Sequence, residues 1–329
     1  MQFRIIKDTN IDFIRFRKIS YVLSVVVILA GVASIILHGG VNLGTEFVGG
    51  TSVSLKFERP IDIGEIRQAL IVNDVRNAEI QSYLTGNEVN IRVKRGEGID
   101  ERVAGRITAA ISKELPDYEF TVGSSLLIGP SMGVFLFNRS IAAMLLSFGG
   151  IIIYVAFRFR NVRYGVTGVI AIAHDVFIAL AFLSFTNKEV TVTIVAALLA
   201  VAGYSINDTI VVYDRIREVS GGFRGSIKDL INRSFNQTLS RTIITSLTLL
   251  FIVFALFLFG GEVLHDFAFT LLIGVIAGTY STIFISSSIF FDWQTWSDRR
   301  AARAKNAPRT KPKPAKVPAG KTAKAKAAK

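Results

Sequence analysis

The sequence predicts an α-helical polytopic membrane protein with six transmembrane helices and one α+β domain outside the membrane. The chain has 329 residues, of which 50% are hydrophobic and 19% are charged, whereas soluble proteins are about 45–50% hydrophobic and about 25% charged. The hydrophobic residues are concentrated in six long blocks, and the more polar segment 38–139 separates the first block from the other five. Blocks of this length exclude an ordinary soluble globule.

The residue inventory excludes several kinds of functional site. The chain has no cysteine, which excludes disulfides, thiol nucleophiles and cysteine-ligated metals. Its three histidines, His38, His174 and His265, are too widely spaced to predict a histidine metal site, and no Walker A or dinucleotide-binding pattern is present. We therefore expect no enzyme active site and no bound cofactor.

The net charge of +13 is concentrated at the C-terminus, because residues 299–329 contain twelve Lys and Arg and no Asp or Glu. A segment rich in Ala, Lys and Pro cannot bury a hydrophobic core. We expect residues 293–329 to form a disordered basic tail in the cytoplasm. This tail is either simply solvated or binds anionic lipid or ribosomal RNA, and salt would weaken either kind of binding.

Six segments are apolar enough to cross a bilayer, which requires about 20 residues per helix. The predicted spans are residues 19–37, 140–157, 164–185, 190–213, 242–259 and 267–291. The first span is longer than the apolar region of a cleaved signal peptide, which is roughly 7–15 residues. We therefore expect it to remain as a membrane helix.

The distribution of Lys and Arg predicts the orientation of the chain in the membrane. These residues are dense in segments 1–18, 158–163 and 214–241 and in the tail, whereas the loops 186–189 and 260–266 contain only Lys188. Cytoplasmic loops carry the excess of Lys and Arg. We therefore expect both termini in the cytoplasm and segment 38–139 on the outside.

The outside segment has the sequence pattern of a βαββαβ domain. Alternating apolar residues predict strands at 51–57, 79–84, 88–94 and 118–122, and helices are predicted to begin at Asp62 and Asp100. This order is typical of the ferredoxin-like fold. Because that fold supports many functions and the segment has no cluster of catalytic residues, the domain does not predict an activity.

Two aspartates lie within predicted membrane helices, Asp175 near the middle of the third and Asp208 near the cytoplasmic end of the fourth. A carboxylate at the bilayer centre costs about 2.5–3.5 kcal/mol on insertion scales, so each should face protein or water. Two interpretations of Asp175 remain open. It either takes part in proton transport or makes a structural hydrogen bond to His174 or a nearby hydroxyl group.

Arg241 begins the fifth span on the same side of the membrane as Asp208. A carboxylate that pairs with an arginine in one state and is protonated in another can relay protons. The alternative is a static salt bridge that fixes helix packing. The spacing of Tyr204, Asp208 and Arg215 places them on one helix face, and Gly165 and Gly203 permit close helix contact.

Two further features lie at the predicted cytoplasmic surface. Asp214, Arg215, Arg217 and Glu218 form a cluster of charges at the end of the fourth span, which is typical of a membrane interface. Residues 226–240 have helical hydrophobic spacing, which predicts an amphipathic helix lying at the cytoplasmic interface.

Four motifs together resemble one family. The run GYSINDTIVVYDRIRE at 203–218 closely resembles the signature of the SecF family of bacterial protein-export membrane proteins. LGTEFVGGT at 43–51, AHDVFIAL at 173–180 and SRTIITS at 240–246 resemble three other motifs of that family, and Glu46 stands where the family usually has Asp. Besides Asp175, Asp208 and Arg241, the motif positions are Gly44, Glu46, Phe47, Gly49, Gly50, Gly203, Asn207, Thr209, Asp214 and Arg215.

The resemblance implies a function that the residue pattern alone does not. SecF works with SecD, and the two form a pseudo-symmetric assembly similar to transporters of the RND superfamily, of which six spans are one half. The assembly uses the proton gradient to help draw preproteins out of the SecYEG channel of the bacterial cytoplasmic membrane after SecA has pushed them in. By this resemblance Asp208 is the proton-responsive carboxylate, Arg241 is its charge partner, and Asp175 is a further candidate.

Three other functions agree with part of the pattern. Half of an RND-type small-molecule exporter would share the intramembrane carboxylates but should have larger outside domains. An intramembrane aspartyl protease would have Tyr-Asp and Gly-x-Gly-Asp motifs, where this chain has His-Asp at 174–175 and Asn-Asp at 207–208. A non-catalytic membrane scaffold would keep its function without the carboxylate of Asp208.

Overall fold

The computed structural model describes residues 9–75, 78–82, 87–94 and 102–306. Its helices are α1 (Arg17–Leu37), α2 (Thr45–Val48), α3 (Ile63–Val72), α4 (Val103–Glu114), α5 (Pro130–Phe159), α6 (Val162–Phe185), α7 (Val192–Ser220), α8 (Ile227–Phe259), α9 (Gly261–Ser281) and α10 (Ser287–Asn306). Its strands are β1 (Gly50–Phe57), β2 (Ala78–Ser82), β3 (Glu88–Lys94) and β4 (Phe120–Ile128). A 3-10 turn, Phe13–Phe16, precedes α1, and a π-helical turn, Thr282–Ser286, joins α9 to α10.

The described part of the chain contains six helical stretches that are long and apolar enough to cross a membrane. They are α1, α5, α6, α7, α8 and the stretch that begins in α9. Helices α6 and α7 lie in the centre of the bundle, because α6 packs against α1, α5, α7 and α9, and α7 packs against α6, α8 and α9. The predicted fold class of a polytopic helical membrane protein with a small α+β domain is confirmed.

The four strands form one antiparallel sheet in the order β2-β3-β1-β4. We call the unit from β1 to β4 the β domain. Its core lies between one face of the sheet and the helices α3 and α4, where Val53, Ile91, Ile66 and Ile107 are fully buried. The order of elements is the predicted βαββαβ. Strand β4 is longer than the predicted 118–122 and lies at one edge of the sheet, where most of its residues are exposed.

Gly49 and Gly50 make the turn from α2 into β1. Gly49 has φ 87°, a left-handed conformation that residues with a Cβ atom rarely adopt. A Cβ atom on Gly50 would lie 2.3 Å from the carbonyl oxygen of Val93 on β3. Both positions of the predicted Gly-Gly motif therefore require glycine for the chain to enter the sheet.

The second membrane helix begins earlier than predicted. Helix α5 begins at Pro130, ten residues before the start of the predicted span at 140. Gly129 has an extended conformation and Pro130 occupies the first helical position, where its fixed φ angle favours helix and its missing N–H costs nothing. The helix is longer than the predicted span because Asn138 and Arg139 interrupt the apolar pattern without interrupting the helix.

The separate interfacial helix at 226–240 is also a wrong prediction, because α8 continues without a break from Ile227 to Phe259. Its apolar stripe is buried in the main core of the bundle, where Ile231 and Phe235 contact the segment that precedes α1. No proline or glycine interrupts residues 227–259, so the backbone has no reason to break. Tertiary packing therefore buries the apolar residues of this segment, which the sequence pattern predicts to face the membrane surface.

The last helix also extends beyond the predicted boundary of the tail. The sequence predicts a disordered tail from residue 293, but residues 293–306 form the end of α10. The helix continues because the run DRRAARAKN at 298–306 is rich in Ala, Arg and Lys, which have high intrinsic helix propensity. The remaining part of the predicted tail, 307–329, lies outside the described residues.

Candidate functional site

Asp175 lies at the centre of a polar network within the helical bundle. It is completely buried, with 0% of its surface exposed. Its Oδ2 atom accepts hydrogen bonds from the hydroxyl groups of Ser205 at 2.6 Å and Ser281 at 2.8 Å, and its Oδ1 atom lies 2.9 Å from Nδ1 of His174. Both carboxylate oxygens are therefore hydrogen-bonded, which is what a polar group in an apolar interior needs to be stable.

This network connects four membrane helices. His174 and Asp175 belong to α6, Ser205 to α7 and Ser281 to α9. On its other side, Nε2 of His174 lies 2.9 Å from the hydroxyl oxygen of Ser24 on α1. A Cβ atom on Gly278 would lie only 3.1 Å from the Cβ atom of Ser205, so glycine allows α9 to pack closely on α7 beside Asp175.

Asp208 lies in a second polar cluster, between α7 and α8. It is 2% exposed, and its Oδ1 atom accepts a long hydrogen bond of 3.4 Å from the hydroxyl group of Thr245. Its Oδ2 atom is buried and has no hydrogen-bond partner among the described residues. Nearby, Tyr204 and Thr279 both donate hydrogen bonds of 2.8 Å to Ser246. Asp208 thus differs from Asp175 in having one oxygen atom without a partner.

Arg241 does not form the predicted ion pair with Asp208. Among the described residues, no ion pair within 4.0 Å joins the two side chains, and Arg241 is exposed. Arg241 lies one turn before Thr245 on α8, and side chains on a helix point toward its N-terminus, away from Thr245. The two residues lie on facing helices without direct contact.

The other face of α7 carries buried hydroxyl groups that contact the π-helical turn between α9 and α10. The hydroxyl oxygen of Thr209 lies 3.0 Å from that of Thr282, and that of Tyr213 lies 2.8 Å from that of Ser286. Tyr213 also contacts Thr167 on α6 at 2.7 Å. Thr282 and Ser286 bound the π-helical turn, a feature that often occurs at functional sites.

The first motif connects the β domain to the membrane helices. The amide of Gly44 donates to the carbonyl oxygen of Val190 at 2.9 Å, and a Cβ atom on Gly44 would lie 2.9 Å from Thr191. The carboxylate of Glu46 accepts a hydrogen bond of 2.7 Å from the amide of Val192, the first residue of α7. An acidic group at a helix N-terminus is favourable, so Glu46 has a direct structural role here. Phe47, the next residue, is buried.

The remaining motif positions lie on the surface of α7. Asp214 forms ion pairs with Arg158 at 3.0 Å and with Arg217 at 3.3 Å, and Arg215 contacts Glu218 and Gln237. These contacts form the charged surface cluster that the sequence predicts. Gly203 and Asn207 are both exposed.

The two glycines expected to permit close helix contact differ. A Cβ atom on Gly165 would lie 2.8 Å from the carbonyl oxygen of Ile152 on α5, whereas one on Gly203 would have no atom within 4 Å. The expectation therefore holds for Gly165 and is wrong for Gly203, because the face of α7 that carries Gly203 is not covered by another helix of the described chain.

Sequence reasoning missed most of the hydroxyl groups that surround the two aspartates. The donors to Asp175 come from α7 and α9, and the sequence offers no means of pairing them with α6. One signal was available, because the run TYSTIFISSS at 279–288 is unusually rich in Ser and Thr for a membrane helix. Within the described part of the chain, no group of three or more acidic or histidine residues is arranged to hold a metal ion.

Comparison with family models identifies two matching regions. Residues 107–296 match the model of the protein export membrane protein SecD/SecF, C-terminal, and residues 34–61 match that of the SecD/SecF GG motif. The second region contains Gly49 and Gly50, whose conformations are described above.

Comparison with individual proteins gives the same result. The chain is 43% identical to protein translocase subunit SecF of Calditerrivibrio nitroreducens over 86% of this chain and 94% of that protein. It is 40% identical to protein translocase subunit SecF of Vibrio alginolyticus over 87% of this chain and 91% of that protein.

Among solved structures, the crystal structure of SecDF, a translocon-associated membrane protein from Thermus thermophilus, matches with a TM-score of 0.74 and 34% identity. The match covers 88% of this chain and 39% of the SecDF chain, so this chain spans less than half of that longer protein. Two family models, relatives that align over nearly their whole length and a shared fold agree, and the chain therefore belongs to the SecF family of protein-export membrane proteins.

Proposed function

We propose that this chain is an accessory subunit of the Sec protein translocase and that, together with SecD, it uses the proton gradient to promote preprotein translocation. Membership of the SecF family supports the translocase role, and SecDF as a structural neighbour supports SecD as the partner. By the family resemblance, the assembly receives preprotein from the SecYEG channel and the SecA motor in the bacterial cytoplasmic membrane. The work is transport and requires neither covalent catalysis nor a cofactor.

The observation that supports proton coupling is the unpaired oxygen of Asp208. A buried carboxylate oxygen without a hydrogen-bond donor is a poor environment for negative charge, and it is free to accept a proton. Asp175 is a weaker candidate because hydrogen bonds to His174, Ser205 and Ser281 already occupy both of its oxygens. We assign the proton-responsive role to Asp208, with Arg241 as the charge that approaches it in another state.

The energy available suits a change in helix packing. One elementary charge that crosses a potential of 100 mV releases about 2.3 kcal/mol. This amount shifts the ratio of two packing states by roughly fifty-fold, but it is well below the stability of a folded domain. A proton on Asp208 can therefore bias how α7 packs on α8 without unfolding either helix.

The first prediction concerns Asp208→Asn in preprotein translocation into energised membrane vesicles. The variant keeps the size of the side chain but cannot exchange a proton, so we expect it to lose the part of export that a proton uncoupler abolishes in the wild type. ATP-driven export in the presence of uncoupler should be the same in both. The measurement is the amount of protease-protected preprotein with and without uncoupler.

Asp229→Asn is the matched control, because Asp229 is an exposed carboxylate at the start of α8 that accepts a hydrogen bond from the capping Ser226. It should keep full uncoupler-sensitive export. Immunoblots and co-purification with SecD must show that both variants insert and assemble. Full uncoupler-sensitive export by Asp208→Asn would overturn the proton-relay role and favour a non-catalytic membrane scaffold.

A further inference from the structure

The β domain rests on the membrane helices at a joint that contains two acidic side chains from distant parts of the sequence. We define the joint as residues 42–46 and 188–192 together with Glu79 and Lys94. Leu43 and Val190 form a parallel β-bridge, and the amide of Val190 donates to the carbonyl oxygen of Asn42 at 2.7 Å. The loop between α6 and α7 is thus held to the segment that leads into the β domain.

The carboxyl groups of Glu79 on β2 and Glu189 in the loop lie close enough to each other to share a hydrogen bond. Glu189 has only 12% of its side chain exposed. The Oε2 atom of each residue is buried and accepts no hydrogen bond from any donor in the described structure. Ionised carboxylates are acceptors only, so two of them in contact repel each other unless one carries a proton.

We propose that Glu79 and Glu189 share a proton that holds the β domain on the membrane helices, which makes this joint a pH-sensitive switch. A shared proton converts a repulsive contact into a strong, charge-assisted O–H···O bond. The same arrangement of two carboxyl groups and one proton is known from other paired acids. The proposal concerns a contact outside the membrane spans and does not depend on the role of Asp208.

The basic groups around the two carboxyl groups compensate one negative charge, so the pair is expected to hold one proton. Lys94 forms an ion pair with the Oε1 atom of Glu189 and also donates to Asn42 at 2.6 Å. Arg92 lies opposite Glu79 in the register of β2 and β3. Other described groups face Glu79 or lie beside Glu189 on the remaining sides. They are Gln81 on β2, Arg67 on α3, Lys188 in the loop, and His265 and Asp266 on α9. Lys188 and Asp266 form an ion pair with each other.

Burial, the hydrogen bond to Glu189 and the charge of Glu189 raise the pKa of Glu79 from 4.5 to about 8, although Arg92 and Lys94 act in the opposite direction. When the joint opens, Glu79 returns to its ordinary pKa. The closed joint therefore binds more protons than the open joint between about pH 4.5 and pH 8. Closure is strongest at the acidic end of this range and weakens as the pH rises through it.

The direction of this effect suits a proton gradient. If the β domain lies on the outside, as the distribution of Lys and Arg predicts, an energised membrane acidifies the solution around the joint. The joint is then closed while the gradient is maintained and opens more often when the gradient collapses. The joint thus senses the proton concentration on the same side from which protons enter.

The test is hydrogen exchange of the full chain in lipid nanodiscs between pH 5.5 and pH 7.5, measured by mass spectrometry on peptides that contain Gly44 and Val190. These amides bond across the joint, so their exchange reports its opening once intrinsic exchange rates are divided out. We expect the opening constant of the wild type to rise up to tenfold per pH unit. Glu79→Gln keeps a hydrogen bond to Glu189 but cannot ionise, and its opening constant should not change with pH.

Two control variants keep the result specific. Glu88→Gln removes a carboxylate of the same sheet that accepts a hydrogen bond from Ser54, and His265→Gln removes the titratable neighbour on α9. Both should keep the wild-type dependence on pH. If the dependence persists in Glu79→Gln, or disappears in His265→Gln, the proposal is overturned.

A folding defect can be recognised and bypassed. The buried amides of Val53 and Ile91 on β1 and β3 report the integrity of the β domain and should remain protected in Glu79→Gln. If they lose protection, Glu189→Gln removes the other half of the pair from the loop side and should abolish the pH dependence equally. A Glu189→Gln variant that opens with the wild-type pH dependence would also contradict the shared proton.

Discussion

Asp175 and Asp208 are both buried aspartates in membrane helices, but their surroundings assign them different tasks. Asp175 receives hydrogen bonds on both oxygens from three neighbouring side chains. Asp208 has one long bond, and its other oxygen has no partner in the part of the chain that the structure describes. A fully bonded group stabilises the packing around it, whereas a partly bonded group is free to change its protonation state.

This contrast predicts opposite effects on stability. Asp175→Asn replaces an acceptor with an amide NH₂ group in a site that supplies donors, so we expect the free energy of unfolding to fall by about 1–3 kcal/mol. Asp208→Asn loses little and should stay within about 0.5 kcal/mol of the wild type. Thermal unfolding of the detergent-solubilised variants measures both. Equal losses would contradict the view that only Asp175 is a structural centre.

At the scale of helices, glycine determines how closely the membrane elements approach one another. A Cβ atom on Gly31 of α1 would lie 2.2 Å from the Cβ atom of Ala181 and 2.9 Å from its Cα atom on α6. The contact includes backbone, so a side-chain rotation cannot relieve it. Small residues that allow helix backbones to touch are the usual basis of packing in membranes.

Gly31→Ala should therefore force α1 away from α6 and lower the free energy of unfolding by about 1–3 kcal/mol. Gly149→Ala on α5 is the control, because a Cβ atom there meets nothing within 4 Å and alanine favours helix by about 1 kcal/mol. The double variant Gly31→Ala with Ala181→Gly removes the clash with the Cβ atom and should recover part of the loss, because the contact with the Cα atom at 2.9 Å remains. Thermal unfolding that is unchanged in Gly31→Ala would show that α1 is not tightly packed.

At the scale of the whole molecule, the distribution of charge predicts the orientation in the membrane. The segments rich in Lys and Arg lie at the ends of helices that face one side, and the β domain lies at the ends that face the other. This distribution predicts the β domain outside and both termini inside.

The absence of native cysteine makes the orientation simple to measure. Ser112 on α4 and Ser220 at the end of α7 are both exposed. In intact cells, a membrane-impermeant maleimide should label Ser112→Cys and leave Ser220→Cys unlabelled. Inverted membrane vesicles should give the reverse pattern, and the cysteine-free wild type controls for background. Labelling of Ser220→Cys in intact cells would contradict the predicted orientation.

Much of this protein follows from the sequence by itself. Hydrophobic blocks of sufficient length predict membrane helices regardless of context, because backbone groups in lipid must be bonded within their own helix. The alternating pattern in β1 and β3 and the motifs that place Asp208 and Gly49 are also local in sequence. Interactions between neighbours along the chain determine these features, so the chain alone contains enough information to predict them.

Only the tertiary structure decided which polar groups meet. Asp175 is bonded to residues on two other helices, and Glu79 meets Glu189 across the boundary between the β domain and the membrane helices. The same limit explains the wrong predictions, since the stripe of α8 that resembled a surface helix is buried by the segment before α1. Hydrogen bonding and burial depend on which distant groups come within a few ångströms, and this depends on how the helices pack rather than on the order of residues.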